Sequence, residues 1–99
     1  MDELYKPAVK LHERWGIEDP ERPLQTCDDP QSVTKNLISI HAALKRLYPA
    51  RNITSMYQID VVHMRNRELD SCRPIDLIQQ DIQENAAMLR HFYESMLQR

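Results

Sequence analysis

Apolar residues recur along this chain at intervals of three and four, the spacing that one face of an α-helix presents. The first such stripe consists of Leu4, Ala8, Leu11 and Trp15. Gly16 follows where helices commonly end in a left-handed residue, and Pro7 lies in the first turn, where its missing N–H costs no hydrogen bond. The pattern predicts a first helix that starts at about Leu4 and ends at Trp15.

The second predicted helix has the clearest boundaries. The preceding segment, 17–29, carries Pro20 and Pro23 among acidic and polar residues and predicts an irregular connection with room for one short turn. Asp29 can then cap a helix whose first residue is Pro30. One apolar stripe continues until Pro49, through Val33, Leu37, Ile40, Leu44 and Leu47.

A third helix is predicted after Asn52, which can serve as its N-cap. Its expected inward face consists of Ile53, Met56, Tyr57, Val61 and Met64. Because residues 59–62 are rich in β-branched side chains, a short strand remains an alternative there.

The last third of the chain predicts a short helix and a long one. Pro74 can open the short helix, and Asp81 with Glu84 resembles a capping box for the long one. The expected inward stripe of the long helix is Ile82, Ala86, Leu89, Tyr93 and Met96. We therefore expect an all-α fold, a small compact bundle of about five helices that forms one domain over residues 1–99.

Composition narrows the function. A single glycine, Gly16, argues against glycine-rich phosphate loops and tight hairpins. Thirteen basic residues against fifteen acidic ones give a net charge of −2, so no overall attraction to nucleic acid follows. The acidic start of the chain is unlike a signal peptide, and no apolar run approaches the roughly 20 residues of a membrane span. We expect a cytoplasmic protein in which Cys27 and Cys72 stay unpaired.

No pattern of catalytic or metal-binding residues is visible. The four histidines, His12, His41, His63 and His91, occur singly, and neither cysteine belongs to a CxxC motif. A pairing of His63 with Cys72 would still need an oxyanion hole. Most acidic residues lie where they can cap helices. We therefore expect neither a metal, nor a cofactor, nor enzymatic activity.

Three stretches resemble a known family when taken in order. In residues 66–78, Asn66, Leu69, Pro74, Asp76 and Leu77 match a signature of an asparagine and a leucine, paired glycines, and a proline followed by Leu-Asp-Leu-Leu. Residues 37–49 are similar to a long helix that ends in an aromatic residue and a proline, and residues 11–17 to a Leu-x-x-x-Trp-Gly-Leu run. The family is that of the Xre/MbcA/ParS-type antitoxins, in their C-terminal toxin-binding domain.

The chain departs from this family at three places. Asp70 and Ser71 replace the paired glycines, and the position of a usual tryptophan falls at about Val61. Between Ile17 and Asn36 the chain lacks room for the family's helix-turn-helix. Residues 1–29 thus form an N-terminal helix with its connection, residues 30–99 form the antitoxin-like region, and DNA binding is not expected.

The resemblance implies an inhibitor that binds a cognate RES-type toxin, a class that acts on NAD. The expected partner is a protein, and self-association remains open. The predicted partner-binding residues lie in the 66–76 segment and on the last helix: Asn66, Leu69, Arg73, Asp76, Arg90 and Arg99. The alternative is a small phage- or plasmid-encoded inhibitor of another host protein. A DNA-binding regulator and an enzyme are less favoured.

Overall fold

The first helix, α1, spans Lys6–Arg14 in the computed structural model, which describes residues 6–48 and 61–98. Its C-terminus is closed by two hydrogen bonds, from the amide of Gly16 to the carbonyl of Glu13 (3.1 Å) and from the amide of Ile17 to that of His12 (3.0 Å). This pair of bonds is the Schellman motif, which requires a left-handed residue at Gly16. The φ of Gly16 is +81°, which confirms the predicted end of the helix.

The connection to the next long helix contains a single helical turn, α2, at Arg22–Gln25. Helix α3 then spans Pro30–Leu47, and the carboxylate of Asp29 accepts a hydrogen bond from the amide of Ser32 at 3.2 Å. The predicted cap is therefore confirmed. The predicted stripe is also confirmed, because Val33, Leu37, Ile40 and Leu44 are fully buried and Leu47 packs against them.

The predicted third helix lies largely outside the described residues, including Asn52, Ile53, Met56 and Tyr57. Residues 61–63 are helical, which contradicts the strand alternative for Val61 and Val62. Val62 is buried, whereas Met64, predicted to face inward, is 62% exposed. The prediction for Met64 was wrong because the helix ends at His63, so the helical spacing no longer applies.

The remaining helical elements lie in the last third of the chain. A 3₁₀ turn at Arg67–Leu69 precedes helix α4 at Pro74–Gln80 and helix α5 at Ile82–Leu97. The carboxylate of Asp81 accepts a hydrogen bond from the amide of Glu84 at 3.3 Å, as the predicted N-cap requires. Within residues 6–48 and 61–98 no strand forms, and β-pairing is limited to an isolated bridge between Asn66 and Cys72.

The core lies between α3 and α5, which pack along each other, while α1 packs on α3 and α4 on α5. The fully buried side chains include Trp15, Leu37, Leu44, Leu89 and Tyr93. The radius of gyration is 12.7 Å, close to the roughly 13 Å of a compact domain of about 100 residues. The expected all-α bundle is confirmed. No helix in the described ranges has the length and apolarity to cross a membrane.

Two histidines connect α1 to the rest of the molecule. The ring Nδ1 of His12, a fully buried residue, donates a hydrogen bond to the carbonyl of Pro20 at 2.9 Å. The Nε2 of His63 donates to the carbonyl of Trp15 at 2.6 Å. These bonds satisfy backbone oxygens at the end of α1 and beside α2.

Candidate partner-binding site

The 66–72 loop, which joins the helical turn at 61–63 to α4, is closed by bonds within its own backbone. The amide of Asn66 donates to the carbonyl of Cys72 (3.1 Å), and the amide of Ser71 donates to that of Asn66 (2.9 Å). The amide of Cys72 donates in turn to the carbonyl of Leu69 at 3.1 Å. A loop with this many internal bonds presents a fixed surface.

Two of the predicted binding residues hold this loop together. The side-chain oxygen of Asn66 accepts a hydrogen bond from the amide of Glu68 at 2.9 Å and caps the 3₁₀ turn. Leu69 is buried and belongs to the core. The 3₁₀ turn directs its side chain into the bundle, and its role toward a partner stays a prediction.

The two residues at the tip of the loop have left-handed backbones. Asp70 has a φ of +56° and Ser71 a φ of +61°. Residues with a Cβ atom avoid this region, at a cost of about 1–2 kcal/mol each when it is imposed on ordinary side chains. These are the two positions at which the resembled signature carries paired glycines.

Arg73 and Asp76 form a bidentate ion pair at the start of α4. The Nε and Nη2 atoms of Arg73 donate to the two carboxylate oxygens of Asp76, both at 2.8 Å. The hydrogen bonds from Arg73 lower the pKa of Asp76, and Arg65 and His63 add smaller effects in the same direction. The fork of Arg73 is therefore occupied within the chain.

Arg90, which lies on the last helix, was predicted to bind a partner. Its Nη1 donates to Oδ1 of the buried Asn36 at 3.1 Å, and its Nε donates to Glu94 at 3.1 Å. The register between α3 and α5 places Arg90 beside Asn36, and its role toward a partner stays a prediction. Arg99 lies outside the described residues.

The exposed part of this region consists of the side chains around the loop. Met64, Arg67, Asp70 and Ser71 are exposed, and Arg65 is fixed by a bond from its Nη1 to the carbonyl of Ser71 at 3.2 Å. A pocket of about 180 Å³ opens beside them, lined by Tyr48, Val61, Met64, Arg65, Asn66, Tyr93 and Met96. That volume is close to the roughly 150 Å³ of a cavity that holds benzene, so the pocket suits one side chain.

The two cysteines, Cys27 and Cys72, are partly buried. Both are free, and the Sγ of Cys27 donates to the carbonyl of Leu24 at 3.0 Å. Burial raises the pKa of the Cys27 thiol, and the charges of Asp28 and Asp29 act in the same direction. Among the described residues, no three His, Cys, Asp or Glu side chains are close enough to hold a metal ion.

Comparison of the chain with family models, curated proteins and solved structures found no match. Sequence reasoning missed Met64, Arg65 and the pocket, since its walls come from segments separated by more than a dozen residues in sequence. The sequence itself also gave no indication of the unfavourable φ values of Asp70 and Ser71. The one indication was that the resembled signature has paired glycines at these two positions.

Proposed function

We propose that this chain is a protein-binding inhibitor of the antitoxin kind, which neutralises a RES-type, NAD-consuming toxin by direct binding. The observation that carries the proposal is the backbone of Asp70 and Ser71. Both residues adopt the conformation for which paired glycines are selected, at the position where the resembled signature has them. The departure in sequence is thus compatible with the left-handed backbone that paired glycines favour.

The strain at these two residues favours a functional role for the loop. Consecutive left-handed residues other than glycine persist only when the surrounding structure imposes them, and such residues cluster at binding sites. Here the imposing contacts are the bonds between Asn66 and Cys72 and between Ser71 and Asn66.

The proposed contact surface is the exposed rim of the 66–72 loop with Met64. Met64 combines high exposure with a flexible apolar side chain, which is typical of protein-binding surfaces. The signature residues Asn66, Leu69, Arg73 and Asp76 act through the loop, because their side chains are engaged within the chain. Inhibition of this kind requires only coverage of the partner's active site and no catalytic group.

The experiment is co-expression with a RES-type toxin in the cytoplasm, where both thiols stay reduced. Rescue of growth, preserved cellular NAD and a one-step co-purified complex are the expected results. Met64→Glu should abolish rescue, while Met88→Glu, which alters the exposed methionine of α5, should not. The proposal fails if the wild-type chain neither binds the toxin nor preserves NAD.

A second measurement separates this proposal from inhibition of another host protein. Tagged protein is purified from its native host and the bound partner identified by mass. A partner without NAD-consuming activity would favour the phage- or plasmid-encoded inhibitor of a different system.

A further inference from the structure

A second surface lies between α1 and α3, in the first half of the sequence, whereas the 66–72 loop belongs to the second half. We call it the α1/α3 groove. It has a volume of about 730 Å³ and is lined by Pro7, Lys10, Leu11, Glu13, Arg14, Ile38 and His41. Ile38 is 45% exposed, an unusual position for a large β-branched side chain in the middle of the longest helix.

Two of the three charged residues that line the groove are cations. Lys10 and Arg14 are exposed, one helical turn apart on α1, and have no hydrogen-bond or ion-pair partner within residues 6–48 and 61–98. Lys45, also exposed, follows His41 by one turn on α3. Glu13 is the single acidic residue that lines the groove.

The positive charges of Arg14 and Lys45 both act on His41. Its pKa is lowered, first by burial and then by the positive charges of Arg14 and Lys45. The Nδ1 atom of His41 is buried and has no hydrogen-bond partner in the described part of the chain. Cations from α1 and α3 therefore act on the same histidine at the edge of the groove.

We propose that the α1/α3 groove binds an acidic amphipathic helix of a partner protein. The apolar floor around Leu11 and Ile38 would receive the apolar stripe of that helix, while Lys10, Arg14 and Lys45 would face its flanking carboxylates. A helix in a groove between two helices is a common recognition mode, and complementary charges give it speed and specificity.

Other occupants fit these features less well. An open groove cannot enclose the 70–90% of a small ligand's surface that ligand pockets bury. Nucleic acid would meet the cations, but its phosphates would leave Ile38 uncovered, and the net charge of the chain is −2. The inference rests on the proposed function only in taking the occupant to be a protein.

The test is an NMR titration of the full chain with a synthetic helical peptide of about 15 residues. The peptide carries leucines at positions i, i+3 and i+7 between glutamates, and a control peptide has lysine at every glutamate. We expect saturable amide shifts at Lys10, Arg14, Ile38 and His41 with the acidic peptide alone. Binding should weaken with added salt, and the imidazole pKa of His41 should rise in the complex.

Two variants assign the effect to the groove. Lys10→Glu with Arg14→Glu should weaken binding at least tenfold, whereas Lys35→Glu with Arg22→Glu, which changes the net charge equally at exposed positions outside the groove, should leave it within about twofold. Ile38→Gln tests the apolar floor independently and should also weaken binding. Thermal melts confirm that each variant is folded.

Several results would overturn the inference. These are the absence of saturable shifts, equal binding of the lysine peptide, or equal losses in the groove and control variants. The inference would also be overturned if the same amide signals shifted when the chain self-associates. The same applies if they shift when duplex DNA or anionic phosphatidylglycerol vesicles are added in place of the peptide. Because the titration contains no toxin, its failure leaves the proposed function intact, and failure of toxin binding leaves the groove intact.

Discussion

Arg90 and Asn36 join the two longest helices, through a hydrogen bond of 3.1 Å from the guanidinium to the amide oxygen. Asn36 is buried, with 7% of its surface exposed, so its oxygen has little access to water. A buried acceptor that loses its donor carries a desolvation penalty, because no solvent molecule replaces the lost bond. Arg90 therefore contributes to the fold, although its side chain was expected to serve a partner.

Replacing Arg90 with Glu should lower the free energy of unfolding by about 1–3 kcal/mol, because Asn36 loses its donor and Glu94 gains a like charge one turn away. Urea denaturation measures the change. Lys35→Glu, an exposed charge reversal next to Asn36 in sequence, should stay within about 0.5 kcal/mol. Equal effects of the two variants would mean that the bond to Asn36 does not form in solution.

Leu44→Ala should cost about 2–5 kcal/mol, because Leu44 is fully buried between α3 and α5 and its removal leaves a cavity. Ile38→Ala on the same helix is the control, since Ile38 is 45% exposed and should cost much less. Urea denaturation measures both changes, with the same dependence of the free energy of unfolding on urea concentration used for both variants. A loss below about 0.5 kcal/mol for Leu44→Ala would contradict the burial of Leu44 in the core.

Ser71→Gly should raise the free energy of unfolding by about 0.5–1 kcal/mol. Glycine adopts the left-handed backbone of Ser71 without strain. The free energy gained by removing this strain exceeds the cost of the larger conformational entropy that glycine has in the unfolded chain. Ser71→Val should be destabilising, because a β-branched side chain tolerates this region least. If Ser71→Gly is less stable than the wild type, the positive φ is not maintained in solution.

Tyr93→Phe should leave stability unchanged or raise it by up to about 1 kcal/mol, because the hydroxyl of Tyr93 is buried without a hydrogen-bond partner in the described residues. The same burial raises the pKa of the phenol. Tyr93→Ala, which removes the packed ring, should cost about 3–5 kcal/mol. A loss above 1 kcal/mol for Tyr93→Phe would indicate an ordered water bound to the hydroxyl.

Local signals account for the elements that could be predicted. The Asp29 cap, Pro30 and the stripe from Val33 to Leu47 all act within one helix, so the sequence contains all the information about α3. The environments of Arg90 and Leu69 could not be predicted in this way. Arg90 meets Asn36 across 54 positions of the chain, and the burial of Leu69 depends on how the 66–72 loop turns onto the bundle.

Acidification below about pH 6.5 should destabilise the protein, mainly through His12. Nδ1 of His12 donates to the carbonyl of Pro20, so Nε2 holds the lone pair, and this atom is buried without a partner in the described residues. Burial lowers the pKa of His12 in the fold, opposed by the weaker effect of the bond to Pro20.

The sign of this pH dependence follows from proton linkage. Below about pH 6.5, which is the ordinary pKa that His12 has in the unfolded chain, the unfolded state binds a proton that the folded state does not. The free energy of unfolding therefore decreases as the pH is lowered, until the pH passes the lowered pKa of His12 in the folded protein. The lowered pKa of His41 adds to the effect. Urea melts at half-unit pH steps measure it, and His12→Gln should flatten the profile while His91→Gln, at an exposed position of α5, should not. An unchanged slope in His12→Gln would mean that the pKa of His12 is the same in the folded and the unfolded chain.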